Sequence, residues 1–249
     1  MPPENLGRPP MPRHGLSRLE ADYAKAIEFS LMILDDQVRK FEAGLDLFDF
    51  CFGREAAIKS KLPGKSAAER EGLEAHLRQT QSWYSVAARD AGMTLFHFAK
   101  ALEGSKACAR KSPTINGQLD WDQLRQATRK FQITFPKYEA LRHAIAHAGE
   151  MASPPKELES NMIKGSVDRL GIKADDKASL LISAFDRREY VTTIDGVLVG
   201  YELSLASLVA LKEVRDEIFQ QFWKPSCHLR ALPVSLEALA EKYGHPTRT

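Results

Sequence analysis

From Leu19 to Phe52 the chain repeats an apolar residue every three or four positions: Leu19, Tyr23, Ile27, Leu31, Leu34, Val38, Phe41, Leu45, Phe48 and Phe52. An α-helix turns about 100° per residue, so this spacing keeps all ten side chains on one stripe. The run predicts one helix about 50 Å long at about 1.5 Å per residue, ending near Gly53. A stripe of that length has to be covered by other helices, because a lone helix leaves it in water. Later segments supply them. Ser66 and Glu69 fit a capping box, and a second helix is expected from there to about Leu102. Its anchors are Leu73, Leu77, Trp83, Val86, Met93, Phe96 and Phe98, and Gly104 closes it. Residues 105–119 are polar and turn-rich. Asp120 caps a short helix to about Gln132. Pro136 suits the first turn of a further helix, which carries Tyr138 to Ala148 and ends at Gly149 and Pro154-Pro155.

The texture changes after residue 178. The runs SLLISAF, EYVTTI and VLVGYELS are rich in β-branched and aromatic residues, and the last two flank Asp195-Gly196, a strong hairpin signal. A final amphipathic helix follows, about Leu205 to Phe222. The predicted organisation is mainly α. Residues 1–15, with five of the 13 prolines, form a disordered tail. Residues 16–223 form one helical domain: a bundle core (16–150), a small antiparallel β-hairpin or meander (178–203) and the last long helix (204–223). Residues 224–249 are a tail with one short helix after Val234.

Composition narrows the partners. There are 35 basic and 33 acidic residues, a net charge of +2, which argues against broad electrostatic coating of nucleic acid. The cysteines are Cys51, Cys108 and Cys227; an odd number without C-x-x-C spacing fits neither a disulfide framework nor a cysteine zinc knuckle. A reducing, cytoplasmic setting is expected. The N-terminus has no apolar h-region of a signal peptide, and no stretch approaches the roughly 18 apolar residues of a membrane span.

The chemistry concentrates on the 138–148 segment. With Tyr138 at zero, Leu141, Ile145 and Ala148 fall at about 300°, 340° and 280°, an apolar stripe toward the core. Arg142 lies at the margin, at about 40°. Glu139, Glu150, His143 and His147 fall at about 100°, 120°, 140° and 180°, with small Ala146 at about 80°. The core does not need this polar strip. It reads as a solvated face with ordinary i,i+4 neighbours, or as a site. A zinc pair, His143 and His147, has the right i,i+4 spacing. It lacks the Glu of H-E-x-x-H and needs a third ligand, Glu150 or His97. On the second helix, Asp90 shares a line with Trp83, Val86, Met93 and His97. A carboxylate buried there would want a cationic or donor partner such as Arg142 or His147, or would pair locally with Arg89. His97 reads as a core histidine rather than a site residue, Trp83 and Tyr84 as packing residues rather than base-stacking platforms, and Arg187-Arg188 as a solvated turn or a phosphate-contacting loop.

The segment LRHAIAHAGE (141–150) resembles the signature of the HEPN superfamily, an Arg followed by Asn, Asp or His and then a His, R-x4-6-H. Arg142, His143 and His147 match an R-x4-H. WYSVAARDAGMTLFHF (83–98) resembles the earlier bundle helix of that family, and the resemblance spans roughly residues 20–150. The β-rich 178–203 segment departs from the minimal HEPN bundle. The resemblance implies a HEPN-like helical bundle that forms a homodimer, with the two motifs across a shared cleft. It implies a metal-independent endoribonuclease without a cofactor, a toxin or phage-defence effector with RNA as substrate and a cognate antitoxin. The alternative is a catalytically silent module binding a nucleotide, RNA or a protein. In the ribonuclease reading His147 would be the general base, Arg142 would stabilise the phosphorane, and His143 would orient the phosphate. Asp90 and Glu139 would support them.

Overall fold

The computed structural model describes residues 7–148, 155–163 and 184–234. It is mainly helical: α1 Arg18–Lys61, α2 Ala67–Lys111, α3 Pro113–Asn116, α4 Trp121–Thr134, α5 Tyr138–Ala146, α6 Pro155–Asn161 and α7 Leu205–Ala231. Between α6 and α7 lies one antiparallel sheet of β1 Ala184–Asp186, β2 Glu189–Ile194 and β3 Val197–Glu202, in the order β1-β2-β3.

The long stripe forms a helix, and the helix outruns it. Ser17 Oγ accepts the Glu20 amide at 3.4 Å and opens α1. Ala24, Ile27, Leu31, Leu34, Val38, Phe41, Leu45 and Phe48 are buried, after which the buried line passes to Cys51 and Ile58 and Phe52 turns outward. Gly53 does not stop it. A helical glycine costs only about 1 kcal/mol, and the break comes at Pro63-Gly64. The Ser66–Glu69 capping box forms in both directions, Ser66 N to Glu69 Oε2 at 3.0 Å and Glu69 N to Ser66 Oγ at 3.4 Å. Gly104 likewise fails to end α2, which runs on to Lys111 because Ser105 and Ala109 are buried on its inner face. Much of the segment read as turn-rich is therefore helix. Asp120 caps α4 as expected, its Oδ1 accepting the amides of Asp122 (3.0 Å) and Gln123 (3.1 Å).

The chain divides into two compact units. The first takes Met1–Val38, His97–Thr134 and Ala210–Thr249. Inside it Phe98 and Phe131 stack at 5.2 Å, Lys130 bridges Glu213 and Glu217, and Arg215 pairs with Asp35 at 3.0 Å. Residues 7–15 belong to this packing and are not a loose tail. Met11 is buried, Trp223 Nε1 donates to the Gly7 carbonyl at 3.0 Å, Ser226 Oγ to Pro10 at 2.6 Å, and His14 Nε2 to Leu232 at 3.1 Å. The carbonyls of Gly7 and Pro10, which lie outside any helix, are satisfied by the α7 side chains of Trp223 and Ser226. The same contacts explain why α7 passes Phe222. Pro225 deletes one helical hydrogen bond, yet the following turn buries Ser226 and Leu229, and the helix reaches Ala231. The proposed helix after Val234 lies outside the described residues.

The second unit takes Arg39–Phe96 and Phe135–Val209. Asp195 and Gly196 have φ of 49° and 68°, the left-handed pair a two-residue hairpin requires, and Ile194 pairs with Val197 across them. Arg187-Arg188 makes the other hairpin turn, between Asp186 and Glu189. Aromatic rings hold the sheet in this unit. Tyr201 lies 6.3 Å from Phe41, and Tyr84 stacks on Phe48 at 4.0 Å and meets Phe185 at 4.3 Å. The buried Tyr201 hydroxyl donates to the Ala88 carbonyl of α2, and burial drives its phenol well above the ordinary 10.0. The part of the β-rich reading covering 178–183 lies outside the described residues.

Candidate functional site

The motif helix is short and gripped from two sides. Pro136 sits in the preceding turn rather than in the helix, and Lys137, left-handed at φ 61°, forms the N-cap. Nine residues later α5 ends at Ala146, so His147 is the C-cap, not a helical residue, with its amide on the His143 carbonyl at 3.0 Å. On one side Ala144 packs with Ile194 of β2 and Val199 of β3, with Ala140 and Ala148 against them. On the other, α5 meets α2 where Gly92 has no side chain. A Cβ there would lie 2.8 Å from Ile145 Cδ1, 3.2 Å from Tyr201 Cε1 and 3.5 Å from Leu141 Cδ2. Arg89 Nη2 donates to the Ile145 carbonyl at 3.0 Å, satisfying a last-turn acceptor that the helix itself leaves open.

The buried residues of α5 are Leu141, Ala144 and Ile145; Tyr138 and Ala148 are half-buried. Ala144 enters the core because the sheet covers a second side of the helix. The polar strip lies off this core. Arg142 is half-buried, its guanidinium carbon 5.3 Å from the centre of the Phe96 ring, a cation–π seat. Its Nε is buried without a hydrogen-bond partner among the described residues. His143 is exposed and His147 half-buried, and their rings stand 4.5 Å apart, tilted by 40°. Glu139 is exposed on the same strip. Glu150 lies outside the described residues.

Asp90 corrects the expectation made for it. It is exposed, so burial does not force it onto Arg142 or His147. Trp83, Val86 and His97 also face outward. The inner face of α2 runs instead through Thr80, Tyr84, Ala87, Ala88, Ala91 and Leu95. Small residues line it because other elements come close, and a search for large apolar anchors passes over them. Trp83 carries Arg54 at 5.4 Å from its ring. Arg188 is no loose phosphate clamp: it pairs with Asp49 at 2.5 Å and lies over Phe48. Tyr84 donates to the Arg187 carbonyl at 2.8 Å, and burial pushes its phenol up to about 12. Arg89 and Gly92 are the positioning residues that reading the sequence missed; a glycine inside a strong helical pattern was their one signal.

Among the described residues no three His, Cys, Asp or Glu side chains converge to hold a metal ion. None of the described helices is long and apolar enough to cross a membrane. Comparison with protein-family models, curated proteins and solved structures finds no match.

Proposed function

We propose that this chain is a HEPN-type, metal-independent endoribonuclease, a toxin or phage-defence effector that works as a homodimer. The observation that carries the reading is the grouping at the end of α5. A half-buried arginine whose Nε has no hydrogen-bond partner among the described residues shares a nine-residue helix and its cap with two imidazoles 4.5 Å apart, off the buried face of Leu141, Ala144 and Ile145. In the reaction His147 removes the proton of a ribose 2′-hydroxyl, and the 2′-oxygen attacks the adjacent phosphorus. The bond from phosphorus to the 5′-oxygen breaks, and the leaving oxygen takes a proton from water. The products are a 2′,3′-cyclic phosphate and a 5′-hydroxyl. Arg142, seated on Phe96, offers a permanent cation to the charge that builds on the phosphorane. His143 orients the phosphate.

The test is incubation of purified protein with RNA in EDTA, beside Arg142→Ala and His147→Ala. Cyclic-phosphate ends that vanish in both variants are the expected result, with losses of roughly a hundredfold or more. RNA left intact by wild-type protein overturns the enzyme. Retained RNA binding that Arg142→Ala weakens would then assign the site to a catalytically silent module.

A further inference from the structure

Lys106 on α2 is half-buried, and its Nζ donates to Thr128 Oγ1 of α4 at 3.0 Å. That hydroxyl donates its own proton to the Leu124 carbonyl at 2.7 Å, so it gives Lys106 a lone pair and no negative charge. One turn further along α2, Arg110 lays its guanidinium 4.9 Å from the centre of the Trp121 ring. Two cations thus lie one turn apart on α2, each held by a neutral partner on α4.

The carboxylates nearest to them along α2 and α4 are already engaged. Glu103 takes Lys100 at 3.0 Å, Asp122 pairs with Arg125, and Asp120 caps α4. Glu213 and Glu217 of α7 both bind Lys130 of α4, at 2.9 and 2.7 Å. Neither Lys106 nor Arg110 forms an ion pair among the described residues. The contrast between the two lysines is chemical as well as geometric. Glu217 and Glu213 hold the Lys130 pKa above that of an ordinary lysine, whereas burial, then the charge of Arg110, lowers that of Lys106, the charge of Glu103 offsetting only part of it. Taking a cation partly out of water without a counter-ion costs free energy, and a bound oxyanion relieves that cost.

We propose that Lys106 and Arg110 form a phosphate-binding site, in which one phosphate group bridges the ammonium and the guanidinium while Trp121 fixes the guanidinium plane. Lys106 has two N–H donors left, and stacked guanidinium keeps its edge donors. The phosphate is either free or carried on a nucleic-acid strand. The site does not depend on the ribonuclease reading.

The experiment titrates sodium phosphate into the full chain by calorimetry, at ionic strength held constant with chloride. Wild-type protein is compared with Lys106→Met, Arg110→Gln and, as a control, Lys59→Met, an exposed lysine paired with Glu55. Binding at least about tenfold weaker in the first two variants and unchanged in Lys59→Met is expected. Lys106→Met keeps the packed stem, and its melting curve reports folding; if it fails to fold, Arg110→Gln carries the same comparison. A five-nucleotide DNA, which has no 2′-hydroxyl to cleave, separates the sources. DNA that binds more tightly than phosphate, competes with it and depends on Lys106 points to a strand; binding of phosphate alone points to the free anion. Absence of binding to about 10 mM phosphate overturns the proposal. So does binding that keeps its wild-type strength in both Lys106→Met and Arg110→Gln, or that is weakened equally in Lys59→Met.

Discussion

Single residues at chain crossings do more here than their size suggests. Glu20, in the first turn of α1, accepts from Ser112 Oγ at 2.9 Å and from the Thr114 amide at 3.0 Å, which ties α1 to the start of α3. Burial alone would raise its pKa, but the hydrogen bonds of Thr114, Ser112 and Ser17 together outweigh burial and hold it below the ordinary 4.5. A carboxylate whose folded pKa is depressed stabilises the fold above its unfolded value and loses that contribution as pH falls through the folded value. Glu20→Gln should therefore cost about 1–2 kcal/mol at pH 7, by hydrogen bonds to a charged group. The gap to wild type should close as pH drops below about 4. Urea unfolding at pH 7 and pH 3 measures it, and a gap of equal size at both would contradict the assignment. Arg142 follows a related rule. Phe96 holds it by its π face, and among the described residues no carboxylate forms an ion pair with it.

At the scale of elements, α5 is set by what α2 lacks. Gly92 lets Ile145, Leu141 and Tyr201 come within van der Waals reach of the α2 backbone, and Arg89 closes the end of α5. An added methyl meets chiefly Ile145 Cδ1, the free end of a flexible side chain. Gly92→Ala should be near neutral, because alanine is about 1 kcal/mol the better helix former and offsets the crowding. Gly92→Val adds carbons directed at less yielding neighbours and should cost about 1–3 kcal/mol. On the proposed ribonuclease reading it should also lower RNA cleavage by displacing α5 and with it Arg142 and the histidine pair. Thermal melts and the cleavage assay on both variants decide it; a valine variant as stable and active as wild type removes Gly92 from the role assigned to it. The sheet has a matching part. Its central strand β2 is buried from Tyr190 to Ile194, and Ala144 of α5 packs against that strand and β3.

Across the whole molecule, α1, α2 and α7 each contribute to both compact units. The first unit closes around residues 7–15, whose contacts with α7 lie more than two hundred positions apart in the chain. Deleting residues 1–15 should uncover the Met11 site and remove the partners of Trp223, Ser226 and Leu232. A buried methionine contributes about 1.5–3 kcal/mol, which in a chain of this size corresponds to a fall of about 3–12 °C in Tm. Tryptophan emission should shift to longer wavelength as Trp223 meets water. Calorimetry and fluorescence of the truncated chain test it, and an unchanged Tm would show that the segment adds nothing.

Local physics reaches as far as its patterns are local. The mainly helical class, the capping boxes, the Asp195-Gly196 hairpin and the polar strip of Arg142, His143 and His147 rest on i,i+3, i,i+4 and two-residue rules, and all are legible in the sequence. Helix ends at Gly53, Gly104 and Phe222 were not, because tertiary burial of Ile58, Ala109 and Leu229 outweighs the small local cost of a glycine or the lost bond of a proline. Residues 7–15 read as disorder because nothing local satisfies their backbone; the side chains of α7 do so at Gly7 and Pro10. Asp90 read as buried because periodicity tells which residues share a face, not which face another element covers. That choice, like the seat of Arg142 on Phe96 and the place of α5 against Gly92, belongs to the tertiary structure alone, since each depends on a partner distant in the chain.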